Sequence, residues 1–194
     1  MIDEESLETL FLHARSHKGW LNEPVPEDML RAAYDFAKWG PTAMNGQPLR
    51  MLFLRSDQAK ERIRPAILAG NLEKALTAPI LAILAYDTAF HKHLSRLFPH
   101  HPAASAGFQA DDDLANSSAF RNGSLQAAYF LIALRAVGLD AGPLSGFDLA
   151  KVDEEFFSGT TLRANFLLAI GYGQKAKVHP RSPRLDFSEV SELI

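Results

Sequence analysis

Apolar residues follow two patterns along this chain: in some segments they recur with helical spacing, and in others they form continuous runs. Apolar residues three and four apart predict helices over residues 3–14, 26–38, 57–68, 71–77, 116–137 and 148–157. Short apolar runs predict strands over residues 49–55, 80–86 and 164–172. The run at 80–86 is apolar throughout, which is typical of a strand buried on both faces. Between these elements, residues 87–113 are predicted to be irregular and residues 141–147 to form a turn-rich connection.

The order of these elements indicates the fold class. Helices and strands mix without a strict strand–helix–strand rhythm, so we predict one α+β domain over residues 1–194 rather than a doubly wound sheet. The helix over 116–137 is apolar on most sides, as expected at the centre of a fold or in an interface. Its broad apolar face consists of Leu125, Ala128, Tyr129, Ile132, Ala133 and Ala136. The polar tail from Gly173 is long enough to wrap around a neighbouring subunit.

Composition narrows the possible functions. The chain is 47% apolar and 22% charged with a net charge of −3, so we expect a soluble globular protein and no nucleic-acid partner. The apolar run Ala78–Tyr86 is too short to cross a bilayer, and the acidic start does not resemble a signal peptide. We therefore expect a cytoplasmic protein without a membrane partner. Because cysteine is absent, any redox chemistry would need a bound cofactor as the electron carrier.

Several common catalytic motifs do not fit the chain. Residues 171–173 lack the third glycine of a dinucleotide fingerprint, and no Gly-x-Ser-x-Gly elbow occurs. His91 and His93 point to different sides of a helix, and residues 100–101 adjoin no carboxylate cluster. We therefore predict surface histidines and no metal site. Residues 111–113 are three aspartates, interpreted as an acidic helix start rather than a cation site.

Two basic segments lie far apart in the sequence. Residues 14–20 combine Arg15 and Ser16 with further donors, and residues 179–184 contain Arg181 and a second arginine. A guanidinium is a planar fork that suits phosphate, and a serine adds a short donor. Both segments are also compatible with solvated basic loops.

Three further segments carry groups suited to a planar ligand. Residues 40–48 form a turn rich in amide and hydroxyl groups, which is otherwise an ordinary helix-to-strand loop. Asn71 and Lys74 share one helix face, where the lysine would oppose negative charge on a bound ring or simply lie at the surface. Residues 143–148 include a glycine that permits close backbone approach, or they form a capped helix start.

Taken in order, these segments resemble the FMN-dependent nitroreductase family over essentially the whole chain. The motifs are Arg-Ser at 15–16, Gly-Pro-Thr-x-x-Asn-x-x-Pro at 40–48, Asn-x-x-Lys at 71–74, Pro-x-Ser-Gly-Phe-Asp at 143–148 and Arg-Ser-Pro-Arg at 181–184. Within the family, the chain is most similar to the malonic semialdehyde reductases of pyrimidine degradation. The stretches that suggest this branch are residues 14–20, 38–42, 70–79, 120–122, 142–148 and 170–173.

The resemblance implies a central, mainly antiparallel sheet surrounded by helices, in an intertwined homodimer with FMN at the subunit interface. The cofactor-binding residues implied by motif are Arg15, Ser16, His17, Pro41, Thr42, Asn45, Asn71, Lys74, Pro143, Ser145, Gly146 and Arg181. Arg15, Ser16 and Arg181 would hold the phosphate. Residues 41–45 would reach the flavin from the partner chain. The family often carries cations where this chain has Ala14 and His179, and His17 or Lys18 would compensate.

The resemblance also implies an activity. NADPH or NADH would donate hydride to flavin N5, and malonic semialdehyde would accept it to give 3-hydroxypropanoate in a ping-pong cycle. Arg121 is the candidate for binding the substrate carboxylate, with a surface or interface ion pair as its other interpretation. No side chain is identified as the catalytic acid, and no metal is implied. The alternatives are a broad nitroaromatic or quinone reductase and a non-catalytic flavin-binding protein.

Overall fold

A four-stranded sheet forms the centre of the computed structural model, which describes residues 2–194. The strands are β1 (Leu49–Leu54), β2 (Ile80–Asp87), β3 (Asp140–Leu144) and β4 (Leu162–Gly171). Their spatial order is β1-β2-β4-β3, and every neighbouring pair is antiparallel. This arrangement confirms the predicted antiparallel sheet.

Helices surround the sheet on both sides. They are α1 (Glu4–Leu7), α2 (Glu27–Ala37), α3 (Asp57–Ile63), α4 (Leu72–Leu76), α5 (Leu94–Leu97), α6 (Ala106–Ala110), α7 (Asp112–Ala136), α8 (Leu149–Phe157) and α9 (Phe187–Val190). α1 continues as a π-helix over Glu8–Leu12. Short 3₁₀ turns cover Ala43–Asn45, Arg64–Ala66, Ala69–Asn71, Phe90–His93, Pro102–Ser105 and Lys175–Lys177. Within residues 2–194, no helix is both long and apolar enough to cross a membrane.

The side chains of β2 alternate between two cores. Leu81 and Ile83 pack in the core beneath α3, α4 and α8, whereas Ala82 and Leu84 pack in the core beneath α2 and α7. Both sets are fully buried, because successive residues of a strand point to opposite faces. The predicted strand with two buried faces is therefore confirmed.

The long helix α7 begins four residues before the predicted start and buries a different face. The side chain of Asp111 accepts a hydrogen bond from the Leu114 backbone N–H at 2.9 Å, which confirms the acidic helix start. Gln126 and Phe130 lie on the buried face, whereas Leu125 and Tyr129 of the predicted face are 46% and 44% exposed. The apolar face that the sequence pattern predicted, which includes Leu125 and Tyr129, is therefore directed outward in this chain.

Two predicted connections are ordered elements instead. Residues 140–144 form the edge strand β3 rather than a turn-rich connection. Residues 87–113 contain short helices around a satellite core of Phe90, Leu94 and Phe108, so the prediction of irregular chain there is wrong. His91 is buried against this core rather than lying at the surface. Burial and the nearby Lys92 lower the pKa of its imidazole.

Candidate functional site

A groove rich in cations lies between the segment after α1 and the C-terminal tail. It encloses about 440 Å³, and its lining includes the cationic side chains Arg15, Lys18, Arg135, Arg181 and Arg184. The lining residues include no aspartate or glutamate. We call this the cationic groove. A concentration of positive charge without carboxylates is suited to an anionic group such as phosphate.

Backbone carbonyls hold the two sides of the cationic groove together. Arg181 donates to the carbonyl oxygens of Leu12 and Ala14, the latter at 3.0 Å, and Arg15 donates to the carbonyl oxygen of His179. The ammonium of Lys18 contacts the ring of His179. The fold thus brings together two basic segments that lie more than 160 residues apart in sequence. Carbonyl partners orient these cations without neutralising them, so their charge remains available to a ligand.

A second cavity adjoins the cationic groove. It encloses about 810 Å³ and shares Ser16, Lys18 and His179 with the groove. From there it extends to Asn71 and Lys74. We call it the adjoining cavity. The predicted phosphate-binding residues and the predicted ring-binding residues therefore line one continuous surface.

Lys74 is anchored at the inner end of the adjoining cavity. Its ammonium donates to the carbonyl oxygen of Pro143 at 2.6 Å, and its backbone carbonyl accepts the indole N–H of Trp20 at 2.9 Å. Burial lowers the pKa of the Lys74 ammonium. An ammonium has three donors, so two remain for a ligand after the bond to Pro143. The interpretation of Lys74 as an ordinary surface lysine is therefore not supported.

The loop after β3 is held against Asn71. The Asn71 side-chain amide donates to the carbonyl oxygen of Gly146 at 3.2 Å. A Cβ atom at Gly146 would collide with this amide, so the close approach requires glycine. Ser145 is exposed beside it, and Pro143 carries the carbonyl that accepts from Lys74. Pro143, Ser145 and Gly146 therefore lie next to the Asn71–Lys74 pair.

The Pro41–Asn45 loop is built separately. The Ala43 backbone N–H donates to the Asn122 side-chain oxygen at 2.8 Å, and the Asn45 amide donates to the Leu97 carbonyl oxygen at 2.9 Å. Pro41, Thr42 and Asn45 line a small groove of about 350 Å³ that shares no lining residue with the cationic groove or the adjoining cavity. One chain alone does not bring this loop to the other site residues.

Two sequence candidates occupy unexpected positions. The side chain of His17 is only 5% exposed and lines neither the cationic groove nor the adjoining cavity. Arg121 is exposed on α7, next to the Asn122 that holds Ala43, and makes no hydrogen bond or ion pair with any of the residues described. Arg135 also lines the groove but was not among the predicted site residues. It is an isolated cation in the apolar second half of the predicted helix, and this isolation could have indicated a role.

Comparison with known proteins agrees with this geometry. The nitroreductase family model matches residues 12–173. A protein of Cupriavidus pinatubonensis named as an NADH dehydrogenase/NAD(P)H nitroreductase is 48% identical over 195 residues, which cover 100% of both chains.

Two solved structures share the fold. A Bacillus subtilis nitroreductase has a TM-score of 0.89 at 19% identity, covering 99% of this chain and 100% of its own. A nitroreductase of Exiguobacterium sibiricum, solved in complex with FMN, has a TM-score of 0.87 at 17% identity, covering 100% of this chain and 99% of its own.

The fold and the family match define a flavin oxidoreductase class, and the cationic groove that continues into the adjoining cavity is consistent with that class. The chain belongs to the nitroreductase family, and it is an FMN-dependent NAD(P)H oxidoreductase.

Proposed function

We propose that this enzyme reduces malonic semialdehyde to 3-hydroxypropanoate in pyrimidine degradation, using NAD(P)H as the electron donor. The observation that carries the oxidoreductase assignment is the continuity of the cationic groove with the cavity around Asn71 and Lys74. The choice of acceptor is supported by the sequence stretches at 14–20, 70–79 and 142–148. Dependence on NAD(P)H is compatible with a cytoplasmic location.

The chain supplies a phosphate site at the cationic groove. Arg15 and Arg181 would bind the FMN phosphate with their remaining N–H donors, and the exposed hydroxyl of Ser16 would add a short hydrogen bond. Because the groove has no carboxylate in its lining, the charged side chains that a bound dianion would contact there are all cations. The donor set therefore fits the group that the family implies.

Asn71 and Lys74 would bind the polar edge of the ring system. The Asn71 amide is fixed by its bond to Gly146, so its carbonyl oxygen is free to accept from a ring N–H. Lys74 would direct its two remaining donors at a ring carbonyl and oppose the negative charge of the reduced cofactor. When bound, FMN accepts hydride from NAD(P)H and passes it to the acceptor. The chain itself supplies position and charge rather than a reactive group.

We propose that the working form is an intertwined homodimer. Five large side chains on α2, just after it and on α7 are 44–80% exposed, and we call this the apolar face: Tyr34, Phe36, Trp39, Leu125 and Tyr129. Phe187, Leu193 and Ile194 of the tail are also exposed. Large apolar side chains exposed in this number favour an interaction site. A second copy would cover it and bring residues 41–45 to the flavin of its partner.

Arg121 is our candidate for the substrate carboxylate. It is exposed on α7 and adjoins Asn122, whose side chain holds the loop that we expect to reach the partner's flavin. A cation beside that loop would bind the carboxylate of a 3-oxo acid while its aldehyde lies over the ring. Arg121→Ala would then raise KM for malonic semialdehyde about tenfold, with little change for an uncharged quinone.

Steady-state kinetics with two acceptors test the proposed activity. We expect a higher kcat/KM for malonic semialdehyde than for a nitroaromatic compound. Equal or higher efficiency on the nitroaromatic compound would instead support the broad nitroaromatic or quinone reductase. Anaerobic mixing with NADPH and with NADH tests turnover itself, since a flavin that stays oxidised with both would indicate a non-catalytic flavin-binding protein.

A further inference from the structure

A buried histidine beside the cationic groove pairs with an aspartate whose side chain is 41% exposed. His17 Nε2 is 3.2 Å from Asp140 Oδ1, and the other carboxylate oxygen of Asp140 accepts the Gly173 backbone N–H at 2.8 Å. Because a carboxylate can only accept, the Nε2 atom of His17 carries the proton in this bond. His17 Nδ1 is buried and has no hydrogen-bond partner among residues 2–194. Among residues 2–194, Asp140 is therefore the only side chain that pairs with a nitrogen of the ring.

Close packing leaves the His17 ring little freedom to move. A Cβ atom at Gly173 would collide with the ring, and one at Gly142 would collide with the His17 carbonyl oxygen. The Trp20 ring packs on another side, with centroids 6.2 Å apart. Two glycines, one in the middle of β3 and one just after β4, thus make room for this histidine.

The pair connects the two segments that form the sides of the cationic groove, which we call the Arg15–Ser16 arm and the Arg181 arm. On one side, Ser16 bridges to Ala141, and the His17 backbone N–H donates to the Ala141 carbonyl oxygen at 3.1 Å. On the other side, Gly173 begins the tail that leads to Arg181. Asp140 is the first residue of β3 and contacts both arms through its two oxygens.

We propose that His17 and Asp140 form a positioning pair that sets the spacing between the Arg15–Ser16 arm and the Arg181 arm for binding a terminal phosphate. This inference rests on the proposed function, because it assumes that the FMN phosphate binds in the cationic groove. His17 acts through Asp140 and the backbone and does not touch the ligand. Its effect is therefore specific to the phosphate end of the cofactor, while Asn71 and Lys74 bind the ring independently of it.

The charge state of Asp140 agrees with this geometry. Burial alone would raise the pKa of its carboxyl, but hydrogen bonds from His17 and from the Gly173 backbone N–H, with the charges of His17 and Lys175, lower it. Asp140 is therefore ionised at neutral pH. An ionised acceptor strengthens both bonds that join the arms.

A matched pair of substitutions separates positioning from simple packing. The side-chain nitrogen of glutamine replaces His Nε2, whereas that of asparagine replaces Nδ1, so His17→Gln keeps the donor to Asp140 and His17→Asn removes it. For each full-length variant freed of flavin, affinities for FMN and for riboflavin are measured by quenching of flavin fluorescence. Riboflavin carries the same ring without the phosphate. The ratio of the two affinities is a readout that a general loss of packing would not change.

We expect His17→Asn to weaken FMN binding about tenfold or more while riboflavin binding changes less than about twofold. His17→Gln should restore FMN affinity to within about threefold of the natural protein. Asp140→Asn leaves one side-chain oxygen for two donors, so it should reproduce the selective loss. Adding it to His17→Asn should cause little further change, because both substitutions break the same link between the arms. Asp140→Asn also provides the test if His17→Asn does not fold.

Three results would overturn the inference. They are an equal loss of FMN and riboflavin affinity in His17→Asn, no loss in either, or a glutamine variant no better than the asparagine one. A natural protein that binds neither flavin would instead refute the proposed function. Natural FMN affinity combined with any of the three results would refute only the positioning pair.

Discussion

The cationic groove and the apolar face differ in how far one chain completes them. The cations Arg15 and Arg181 already have partners, because carbonyls of the same chain accept their hydrogen bonds. On the apolar face, Trp39 remains 80% exposed and Phe36 62% exposed. Polar groups can be satisfied locally by directional bonds, whereas large apolar side chains are stabilised only by covering area. One chain therefore positions the cations of the proposed phosphate site but leaves the proposed dimer surface uncovered.

A charge on the apolar face should have the largest effect. Leu125→Glu would bury a carboxylate in the proposed interface, at a cost of about 3 kcal/mol or more, and should dissociate the dimer and release FMN. Sedimentation velocity and the flavin absorbance of the purified protein measure both outcomes. The matched control is Leu149→Glu, since Leu149 is 49% exposed on α8 and Leu125 is 46% exposed. A Leu125→Glu variant that remains a flavin-bound dimer would contradict the proposed interface.

Removing a cation from the groove should have the next largest effect. Arg181→Ala deletes a charge-assisted contact worth about 1.5–3 kcal/mol, so FMN should bind about 10–100-fold more weakly. Arg62 is an exposed arginine paired with Glu155 outside the groove, and Arg62→Ala serves as the control. Calorimetric titration with FMN checks the prediction. Similar losses in both variants would indicate a general effect of charge rather than a site in the groove.

Replacing Lys74 should have a smaller effect, mainly on the rate of flavin reduction. Lys74→Ala removes the positive charge near the ring and should slow flavin reduction by NADPH about tenfold or weaken FMN binding to a similar degree. Lys177 lines the same cavity but pairs with Glu73, so Lys177→Ala is the control. Stopped-flow absorbance measures the reduction rate. Unchanged binding and reduction in Lys74→Ala would remove this lysine from the proposed mechanism.

The smallest effect should be a pH dependence of stability. Because the folded-state pKa of Asp140 is lowered, its ionised form stabilises the fold above the unfolded pKa, and this contribution is lost as pH falls through the folded pKa. His17, Lys175 and Arg135 are the charged or titratable groups that act on it. Because solvent screens a carboxylate whose side chain is 41% exposed, urea unfolding should show Asp140→Asn less stable by only about 0.5–1 kcal/mol at pH 7, with the difference shrinking in acid. A pH-independent difference would contradict this origin.

The buried strands were predictable because their apolar runs are unambiguous. β2 and β4 appear within two residues of the predicted bounds. β3 was missed because its sequence contains Gly142 and Pro143, which usually indicate a turn. Its edge position explains the exception, since a strand with one free side tolerates a proline.

The outward face of α7 shows a second limit of predicting buried faces from apolar periodicity. Leu125 and Tyr129 make the strongest apolar stripe, yet the buried face contains Asn122 and Gln126. These two amides are buried because Asn122 accepts from the Ala43 backbone N–H and Gln126 from that of Leu49. Buried polar groups need such partners, and no periodicity in sequence reveals where distant backbone donors will lie.

The sequence by itself determined three of the four strands, the helical spacing and the motifs that placed the chain among flavin oxidoreductases, because these depend on local spacing and residue chemistry. Only the tertiary structure joined Arg15 to the tail, turned His17 from the groove towards Asp140, and left the α7 stripe uncovered. Contacts between residues 160 positions apart depend on how the elements pack around the sheet. That packing is decided by the whole chain, which no short motif contains.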